Sequence, residues 1–444
     1  MTQRVAAPAR KLGLIEIALL VVGSIIGSGI FRTPAVVAQR IHVPAAILFA
    51  WVVGGVIALF GAFVLGELAV RRPEEGGAYA YLRDAFHPIV AFAYGWTSLL
   101  ASFSGGLAAA ALLFAGYFVS LTGLPIALPV VAVLALAALA LVNVMGVREG
   151  SLVQSGLTVL KVCALGGLVI AAFTVRPAHP HPSIAGGVSH GLAMAFALAL
   201  VPVLFSYNGA IAANFMAAEA KDATRSLPIA LWLGIAVVAF VYVCVNAGCI
   251  RVLGVNGLAA TTVPISEVLR AAAGPLGERL TSLAIVITTL GFMSSRMLSV
   301  PRLYHAMAAD GLFFRAVGRI DPRTRVPAIA IALQGVVAIV IALSGDYEHI
   351  LNYVVSTFYL FNGLLAIALF ILRARDREHD ASSAPGFRVP GHPVTTTIYL
   401  VASWGVTIAS YIQYPRDGLA GLAIVLSAVP VYWLWTRSQR TLGA

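Results

Sequence analysis

Charged side chains are scarce in this sequence. Asp, Glu, Lys and Arg together make up 11% of its 444 residues, whereas an ordinary soluble domain carries roughly 25%. Hydrophobic residues make up 60%, and the mean hydropathy is +0.93. A soluble fold could not hide this much apolar surface from water, and a disordered chain would be far more polar. The composition therefore predicts a polytopic integral membrane protein.

Cysteine is nearly absent, and the common signatures of enzymes are missing. Cys163, Cys244 and Cys249 form no CxxC or CxxH pair, which argues against a metal site or a disulfide framework. The chain also has no HExxH or GxxxxGK[ST] motif, so metal-dependent hydrolysis and ATP binding have no sequence support. We expect no enzymatic activity, no metal and no cofactor.

Long uncharged runs dominate the chain instead. From Ala85 to Val147 there is no Asp, Glu, Lys or Arg, and this run exceeds the ~20 residues that one helix needs to cross a bilayer. The apolar runs are continuous rather than alternating, which predicts helices and not strands. The predicted membrane-spanning helices are twelve: 13–40, 44–71, 86–122, 127–146, 152–174, 190–218, 226–251, 279–309, 326–344, 349–373, 394–414 and 417–436.

The basic residues are distributed unevenly between the connections. With the N-terminus inside, the inner segments hold 20 Lys and Arg and the outer segments hold 6, while Arg32, Lys161 and Arg296 fall within spans. Cytoplasmic segments carry such an excess of positive charge. We therefore predict a multi-pass protein of the cell inner (plasma) membrane with both termini cytoplasmic. The net charge of +11 follows from this topology, and no nucleic-acid partner is expected.

Two predicted spans contain small and polar residues near their centres. The first carries Gly23-Ser-Ile-Ile-Gly-Ser-Gly-Ile-Phe31, and in the sixth Pro202 precedes Phe205-Ser-Tyr-Asn-Gly209. Irregular backbone at membrane depth persists only where it is buried in protein or lines a cavity. A matched pair of interrupted helices points to the midplane binding site of a transporter. Close helix packing is the alternative interpretation of Gly23 and Gly27, which have small-xxx-small spacing.

The spacing of the two breaks predicts the organisation of the fold. They lie five helices apart, and because five is odd, the second set of five starts on the opposite side of the membrane. We predict an all-α protein with a five-plus-five inverted repeat, broken helices one and six, and two additional C-terminal helices. The predicted units are the tail 1–12, the first repeat 13–174, the second repeat 190–373 and the additional helices 394–436.

A broken helix offers charges of both signs to a ligand. The N–H groups of Ser28, Gly29 and Ile30 would open at the start of the second half-helix and attract an anion. Freed carbonyls near Ser24 and Ile25, and similar ones at Phe205 and Ser206, would suit a cation. Partial charges of both signs a few ångströms apart match a zwitterion, and an α-amino acid is the simplest such solute.

Several motifs resemble those of one known family. The glycine-rich stretch 23–31, the loop Pro73-Glu-Glu-Gly-Gly-Ala-Tyr-Ala-Tyr81, the sixth-span segment 205–209 and Phe387-Arg-Val-Pro-Gly-His-Pro393 are similar to those of the amino acid–polyamine–organocation superfamily. The closest branch is the L-type amino acid transporters and their bacterial relatives. This resemblance implies the inverted-repeat fold and transport by alternating access.

The resemblance also implies roles for individual residues. Ser28 and Gly29 would bind the substrate carboxylate, and backbone atoms of Ile25, Phe205 and Asn208 would lie near the amino group. Phe205 and Tyr207 would form a gate or a pocket wall. The full set of predicted substrate-binding residues is Ile25, Gly27, Ser28, Gly29, Ile30, Phe205, Ser206, Tyr207, Asn208 and Gly209. Ala210 and Ile211 replace the aromatic residue that usually follows, which leaves the accepted side chain open.

Lys161 lies in the middle of the fifth predicted span and is one of three lysines in the chain. An ammonium within the bilayer costs several kcal/mol, so such residues are usually functional. In relatives with a matching lysine, this group occupies the place of sodium in sodium-coupled relatives. The resemblance therefore implies sodium-independent exchange or proton coupling. A structural lysine bonded to first-helix carbonyls is the alternative.

The predicted function is secondary active transport of amino acids across the membrane. The inner parts of spans three, six, eight and ten contain no Asp or Glu, which favours neutral L-amino acids. A polyamine or amino acid/amine antiporter of the same superfamily is the alternative, and a non-transport membrane enzyme is a weaker one. The predicted outer loop 121–127 has no cysteine, so no disulfide-linked ancillary subunit is expected.

Overall fold

A computed structural model describes residues 13–27, 29–72, 76–145, 150–175, 191–209, 223–324, 326–345, 347–378 and 386–442. Within these ranges the regular structure is entirely helical. The helices are α1 (Leu14–Ile25), α2 (Gly29–Arg40), α3 (Pro44–Arg71), α4 (Ala78–Ala85), α5 (Pro88–Thr97), α6 (Phe103–Thr122), α7 (Leu128–Val144), α8 (Gly150–Thr174), α9 (Leu192–Ser206), α10 (Ala223–Ala260), α11 (Pro264–Ser299), α12 (Pro301–Ala309), α13 (Ala328–Ser344), α14 (Tyr347–Glu378), α15 (Val394–Gln413) and α16 (Pro415–Leu442).

The first predicted span is interrupted where the sequence indicates. Helices α1 and α2 meet at 49°, and Ile26 between them has an extended backbone with φ −70° and ψ 93°. The N–H of Ile26 still donates to the carbonyl of Val22 at 2.9 Å, which closes the last turn of α1. Ser28, a predicted carboxylate ligand, lies outside the described residues.

Within the sixth predicted span, helix α9 ends where the sequence predicts a break. Helix α9 stops at Ser206, and the chain turns through Tyr207 to Gly209. The turn is closed by two backbone bonds of 3.0 Å, from Tyr207 N to Leu204 O and from Asn208 N to Phe205 O. Residues 210–222, with Ala210 and Ile211, lie outside the described part of the chain.

Six described helical segments are long and apolar enough to cross a bilayer. They are Pro44–Arg71, Pro88–Thr122, Arg225–Ala260, Pro264–Ala309, Tyr347–Asp376 and Pro415–Arg437, and the bent pair of α1 and α2 adds a broken span. Four shorter apolar helices have 10–17 described residues. The protein is therefore a multi-pass membrane protein, and the count of twelve spans stays a prediction.

The centre of the molecule is built from the broken helices and their neighbours. Helix α1 packs against α8 and α10, α2 packs against α9 and α10, and α3 packs against α9 and α10. Helices α6, α11 and α14 form the other wall, with α7 and α13 outside α6 and with α15 and α16 outside α14. Ile25 at the end of α1, Gly29 at the start of α2 and Ser206 at the end of α9 are all buried.

A buried ion cluster ties three segments together at one end of the bundle. The carboxylate of Glu67 is fully buried and accepts from Arg71 Nε at 3.0 Å and from Arg373 Nε at 2.8 Å. It also accepts from the backbone N–H of Val389 at 2.6 Å. Helices α3 and α14 and the segment before α15 are therefore joined through one side chain.

Candidate functional site

A small cavity lies where the interrupted ends of α1 and α9 meet. Within it the centre of a water molecule can move through about 50 Å³, which is room for a few water molecules or a small solute. Both breaks and three other helical segments supply its walls. The lining residues are Ser24, Ile25, Gly27, Gly29, Ser102, Phe103, Gly106, Phe205, Ser206, Asn208, Gly209, Phe292, Arg296, Val354 and Phe358.

The two breaks touch through glycines. A Cβ atom on Gly209 would lie 2.1 Å from the carbonyl oxygen of Ser24 and 2.2 Å from the amide nitrogen of Ile25. A Cβ atom on Gly29 would lie 2.6 Å from Oγ of Ser206. Real Cβ contacts are not that short, so only glycine permits this approach of backbone to backbone. Gly29 and Gly209 are therefore required because a side chain would collide at these positions, and not only because glycine makes the backbone flexible.

Tyr242 of α10 links the ends of the two half-helices. Its hydroxyl oxygen lies 3.2 Å from the carbonyl oxygen of Ile25 and 3.2 Å from that of Ser206. These are the last carbonyls of α1 and α9, which have no intrahelical donor. Because a hydroxyl has a single proton, the two carbonyls share one donor, and each keeps a free lone pair for another partner.

The backbone groups around the cavity suit a zwitterion. Helix α2 begins at Gly29, so the N–H groups of its first turn lack intrahelical acceptors and favour an anion. The carbonyls of Ile25 and Ser206 have acceptor capacity to spare and favour a cation. No group of three His, Cys, Asp or Glu side chains in the described part of the chain is arranged to hold a metal ion.

The predicted site residues are distributed unevenly around this cavity. Seven of the ten line it: Ile25, Gly27, Gly29, Phe205, Ser206, Asn208 and Gly209. Ile30 is fully buried behind the wall. Tyr207 turns away from the cavity, and its hydroxyl donates to the carbonyl of Trp51 at 3.0 Å. The Tyr207 ring packs with those of Trp51 and Tyr242, at centroid distances of 6.1 and 5.2 Å.

A hydrogen bond separates this cavity from a second, larger one. Oγ of Ser206 donates to Oγ1 of Thr33 at 2.9 Å. Thr33 lines a neighbouring cavity, whose volume on the same measure is about 330 Å³. This second cavity is bordered by Arg32 and Glu348, which form an ion pair between α2 and α14. We call it the vestibule. It lies on the side of Arg40, which the charge distribution predicts to be outside.

Lys161 of α8 contacts α1 just before the first break and does not line the central cavity. Its side chain is 2% exposed, and Nζ donates to the carbonyl of Gly23 at 3.3 Å. It also borders an apolar cavity of about 420 Å³ between α8 and α11, which includes Leu283 and Thr288. The ammonium therefore acts on the backbone of α1 rather than on the central cavity directly.

Several cavity residues escaped the sequence prediction because they lie on other helices. Ser102 ends a π-helical turn at Ser98–Ser102 in the third span, and Phe103 follows it; such turns are frequent at functional sites. Val354 and Phe358 come from α14, and Phe292 and Arg296 come from α11. Apart from the charge of Arg296, nothing in their local sequence distinguishes them from other residues of apolar spans.

Comparison with known proteins identifies the family. The amino acid permease family matches residues 12–434. The serine/threonine exchanger SteT of Bacillus subtilis is 26% identical, with 96% of each chain covered. The rabbit b(0,+)-type amino acid transporter 1 is 30% identical over 83% of this chain and 77% of its own. The mouse Asc-type amino acid transporter 1 is 27% identical over 98% and 82%. The match over nearly the whole length shows that the chain belongs to the amino acid permease family of the amino acid–polyamine–organocation superfamily.

Proposed function

We propose that this protein is a sodium-independent secondary active transporter that moves neutral L-amino acids across the cytoplasmic membrane by alternating access. One observation carries the proposal: the interrupted ends of α1 and α9 meet at a cavity that presents both N–H groups and carbonyls. Relatives whose names specify amino acid transport or serine/threonine exchange support the substrate class.

The lining of the cavity supports a neutral substrate over a polyamine. None of the described lining residues is acidic, whereas a dicationic amine would need carboxylates in a low-dielectric site. The small volume of the cavity, about 50 Å³ open to the centre of a water molecule, favours an amino acid with a short side chain. The same features weigh against the alternative of an amino acid/amine antiporter.

Helix pairing supports the inverted repeat of 13–174 and 190–373. In such a repeat, α3 would correspond to α10, α6 to α11 and α8 to α14. The contact of α6 with α14 is matched by the contact of α11 with α8, as an exchange of the two repeats requires. The counterparts α3 and α10 also pack against each other, as do α6 and α11. Alternating access then follows from one repeat rocking against the other.

Contacts on the vestibule side of the cavity could open and close during alternating access. The Ser206–Thr33 hydrogen bond lies between the cavity and the vestibule, and the Arg32–Glu348 ion pair borders the vestibule. Separation of α2 from α9 would break the first contact and join the two spaces, and separation of α2 from α14 would break the ion pair and widen the vestibule. A carboxylate bound at the start of α2 and an amino group at the carbonyls of α1 and α9 would then bias how these half-helices move.

Lys161 supports sodium independence. Its ammonium already donates to the carbonyl of Gly23, so a fixed positive charge occupies the position behind the first break. A second cation there would meet like charge in a poorly screened site. We infer that the protein works as an exchanger or as a proton-coupled symporter, with Lys161 as the coupling group or as a fixed substitute for the ion.

The distribution of basic residues supports an inner-membrane protein with both termini cytoplasmic. We also propose that it works without a disulfide-linked subunit. Cys163 lies within α8, and Cys244 and Cys249 lie within α10. These positions are inside helices and away from the loop between α6 and α7.

Uptake by proteoliposomes tests the proposed function. Labelled neutral, acidic and cationic amino acids are offered with and without internal amino acid, with and without sodium, and with and without a pH gradient. We expect saturable uptake of small neutral amino acids that does not require sodium. No saturable uptake of any amino acid or amine would refute the proposal, and preferred uptake of a diamine would favour the antiporter.

A further inference from the structure

The end of the molecule where α12 and α16 finish carries arginines and aromatic rings on one exposed surface. The apolar segments Pro264–Ala309 and Pro415–Arg437 both end here, so this surface lies at the depth where a bilayer meets water. The charge distribution predicts that this end of the molecule faces the cytoplasm. We call these exposed side chains the aromatic–arginine surface: Phe314, Arg315, Arg319, Ile320, Trp433 and Arg437.

The segment 311–320 after α12 is fixed against the helix bundle. The side chain of Phe313 is only 3% exposed and belongs to the core. Nε1 of Trp435 donates to the carbonyl of Gly311 at 2.8 Å, and the rings of Trp435 and Phe314 pack edge to face at a centroid distance of 4.7 Å. The segment and the end of α16 therefore form one continuous surface.

Two arginines of this surface have no partner among the described residues. The side chains of Arg315 and Arg319 are exposed and form no ion pair or side-chain hydrogen bond within that part of the chain. The acids on either side of them are already engaged. Asp310 pairs with Arg83 at 2.7 Å, and Asp321 accepts from two backbone N–H groups that follow it. The surface therefore presents positive charge that an anion from outside the chain can neutralise.

Large apolar side chains of the same surface are also exposed. Phe314 is 55% exposed, Ile320 is 41% exposed and Trp433 is 58% exposed. The guanidinium of Arg437 lies over the Trp433 ring, 5.9 Å from its centroid. Aromatic rings concentrate where lipid headgroups meet acyl chains, and arginine binds phosphate through paired hydrogen bonds. Exposed rings beside guanidinium groups therefore match a molecule with an anionic head and an apolar tail.

We propose that the aromatic–arginine surface binds the headgroup phosphates of anionic phospholipids in the cytoplasmic leaflet of the membrane. Its arginines neutralise the phosphates, and its apolar side chains contact the adjoining part of the acyl chains. A zwitterionic phospholipid has no net charge for the arginines to neutralise and is bound less strongly. None of these residues lines the central cavity, so the inference does not depend on the transported substrate.

A role in membrane insertion alone makes a different prediction. If the arginines serve only to set the orientation of the neighbouring spans, their replacement leaves the lipid preference of the folded protein unchanged. If they bind headgroups, replacement removes the preference for an anionic lipid. The ratio of the affinities for anionic and zwitterionic phospholipids therefore separates the two roles.

The test measures lipid binding to the purified full chain in a neutral detergent. Energy transfer from tryptophan to a dansyl-labelled phosphatidylglycerol reports binding, with unlabelled phosphatidylglycerol, phosphatidylcholine, inorganic phosphate and polyglutamate as competitors. The wild type is compared with two double variants, Arg315→Gln with Arg319→Gln and Arg315→Lys with Arg319→Lys. Arg270→Gln with Arg279→Gln is the matched control, because both arginines are exposed on α11 and lie on the predicted outer side.

We expect phosphatidylglycerol to displace the labelled lipid from the wild type at a concentration about tenfold or more below that of phosphatidylcholine. Each arginine near an anionic lipid surface changes the affinity by a factor of about five. The double glutamine variant at 315 and 319 should therefore bind phosphatidylglycerol about tenfold or more weakly and lose most of the preference. The double lysine variant should keep most of it, and the outer control should match the wild type. Added salt should weaken the binding of phosphatidylglycerol.

Three results would overturn the proposal: equal displacement by the two phospholipids in the wild type, an unchanged preference in the double glutamine variant at 315 and 319, or an equal loss in the outer control. Displacement by inorganic phosphate at the concentration that suffices for phosphatidylglycerol would identify a site for free anions instead. The same effect of polyglutamate would identify a surface for an acidic protein. Because binding is measured without transport, these outcomes are separate from those that refute the proposed function.

Discussion

Tyr242 shows how one side chain can couple two broken helices. Its hydroxyl lies within 3.2 Å of the last carbonyls of both α1 and α9, and it is fully buried. Because the single proton serves two acceptors, a shift of either half-helix changes the bond to the other. Tyr242 therefore couples the position of the end of α1 to that of the end of α9.

Replacement of Tyr242 by Phe should slow transport while leaving the fold intact. Loss of a buried hydrogen bond costs about 1 kcal/mol, so we expect the initial rate of amino acid uptake to fall roughly fivefold. Tyr411→Phe is the control, since the Tyr411 hydroxyl is buried without a hydrogen-bond partner in the described structure. Equal uptake by Tyr242→Phe and Tyr411→Phe would show that the hydroxyl does not couple the helices.

Replacement of Lys161 by Ala tests whether this ammonium participates in coupling. If Lys161 couples protons to transport, uptake by the variant should lose its dependence on external pH. If it is a fixed cation behind the break, uptake should fall at every pH. Cys163→Ala, on the exposed face of the same helix, provides the control. Unchanged uptake at all pH values would contradict both roles.

At the scale of elements, α1 and α8 meet at an unusually close contact. A Cβ atom on Gly23 would lie 2.1 Å from Oγ1 of Thr158 and 3.2 Å from its Cβ. The same turn of α1 supplies the carbonyl that Lys161 contacts. Close packing and the polar contact therefore fix the first half of the broken helix against α8.

Gly23→Ala should push these helices apart, and Thr158→Ala should partly compensate. Overpacking of this kind costs about 1–3 kcal/mol, so we expect a clear drop in the thermal unfolding temperature of the single variant. The double variant should recover part of it, because the nearest atom is removed. Gly166→Ala on α8 meets open space and should have little effect. Equal unfolding temperatures of the single and double variants would contradict this contact.

The positions of the breaks could be predicted from sequence because their causes are local. Glycine and serine within an apolar run, and Pro202 four residues before Ser206, disturb a helix whatever surrounds it. Tyr242 could not be placed at the site in this way. It sits between Val241 and Val243 in a continuous apolar span, and which face of α10 meets the breaks depends on packing between distant helices.

At the scale of the whole molecule, Glu67 ties the bundle together at one end. Its buried carboxylate joins Arg71 and Arg373, and thereby holds α3 to α14. The backbone N–H of Val389 completes the cluster. Removal of one partner from a buried ion cluster leaves the other charges uncompensated, which costs more than the cluster itself contributes.

Glu67→Ala should therefore destabilise the protein by about 3–5 kcal/mol, observed as a large fall in the unfolding temperature in detergent. Asp376→Ala is the matched control, because Asp376 also pairs with Arg71 but its side chain is 46% exposed. Exposed pairs contribute about 0–1 kcal/mol. Similar unfolding temperatures for the two variants would show that the buried cluster does not hold this end.

The arrangement of the helices as a whole lies beyond what sequence patterns can give. The charge distribution and the spacing of the breaks predict the order and orientation of the spans. They do not predict that Arg296 of α11 lies beside Asn208 after α9, because those residues are far apart along the chain and meet only in the packed bundle. The family resemblance supplied the expected fold, and the structure supplied the contacts.

The most direct test of a transport site at the meeting of the two breaks is uptake of labelled L-alanine by proteoliposomes containing the wild type or Gly209→Ala. The added methyl group would collide with the backbone of Ser24 and Ile25, whereas Gly116→Ala meets open space and serves as the control. We predict saturable uptake by the wild type and by Gly116→Ala, and none by folded Gly209→Ala. Wild-type uptake by Gly209→Ala, or no saturable uptake by the wild type, would contradict the account.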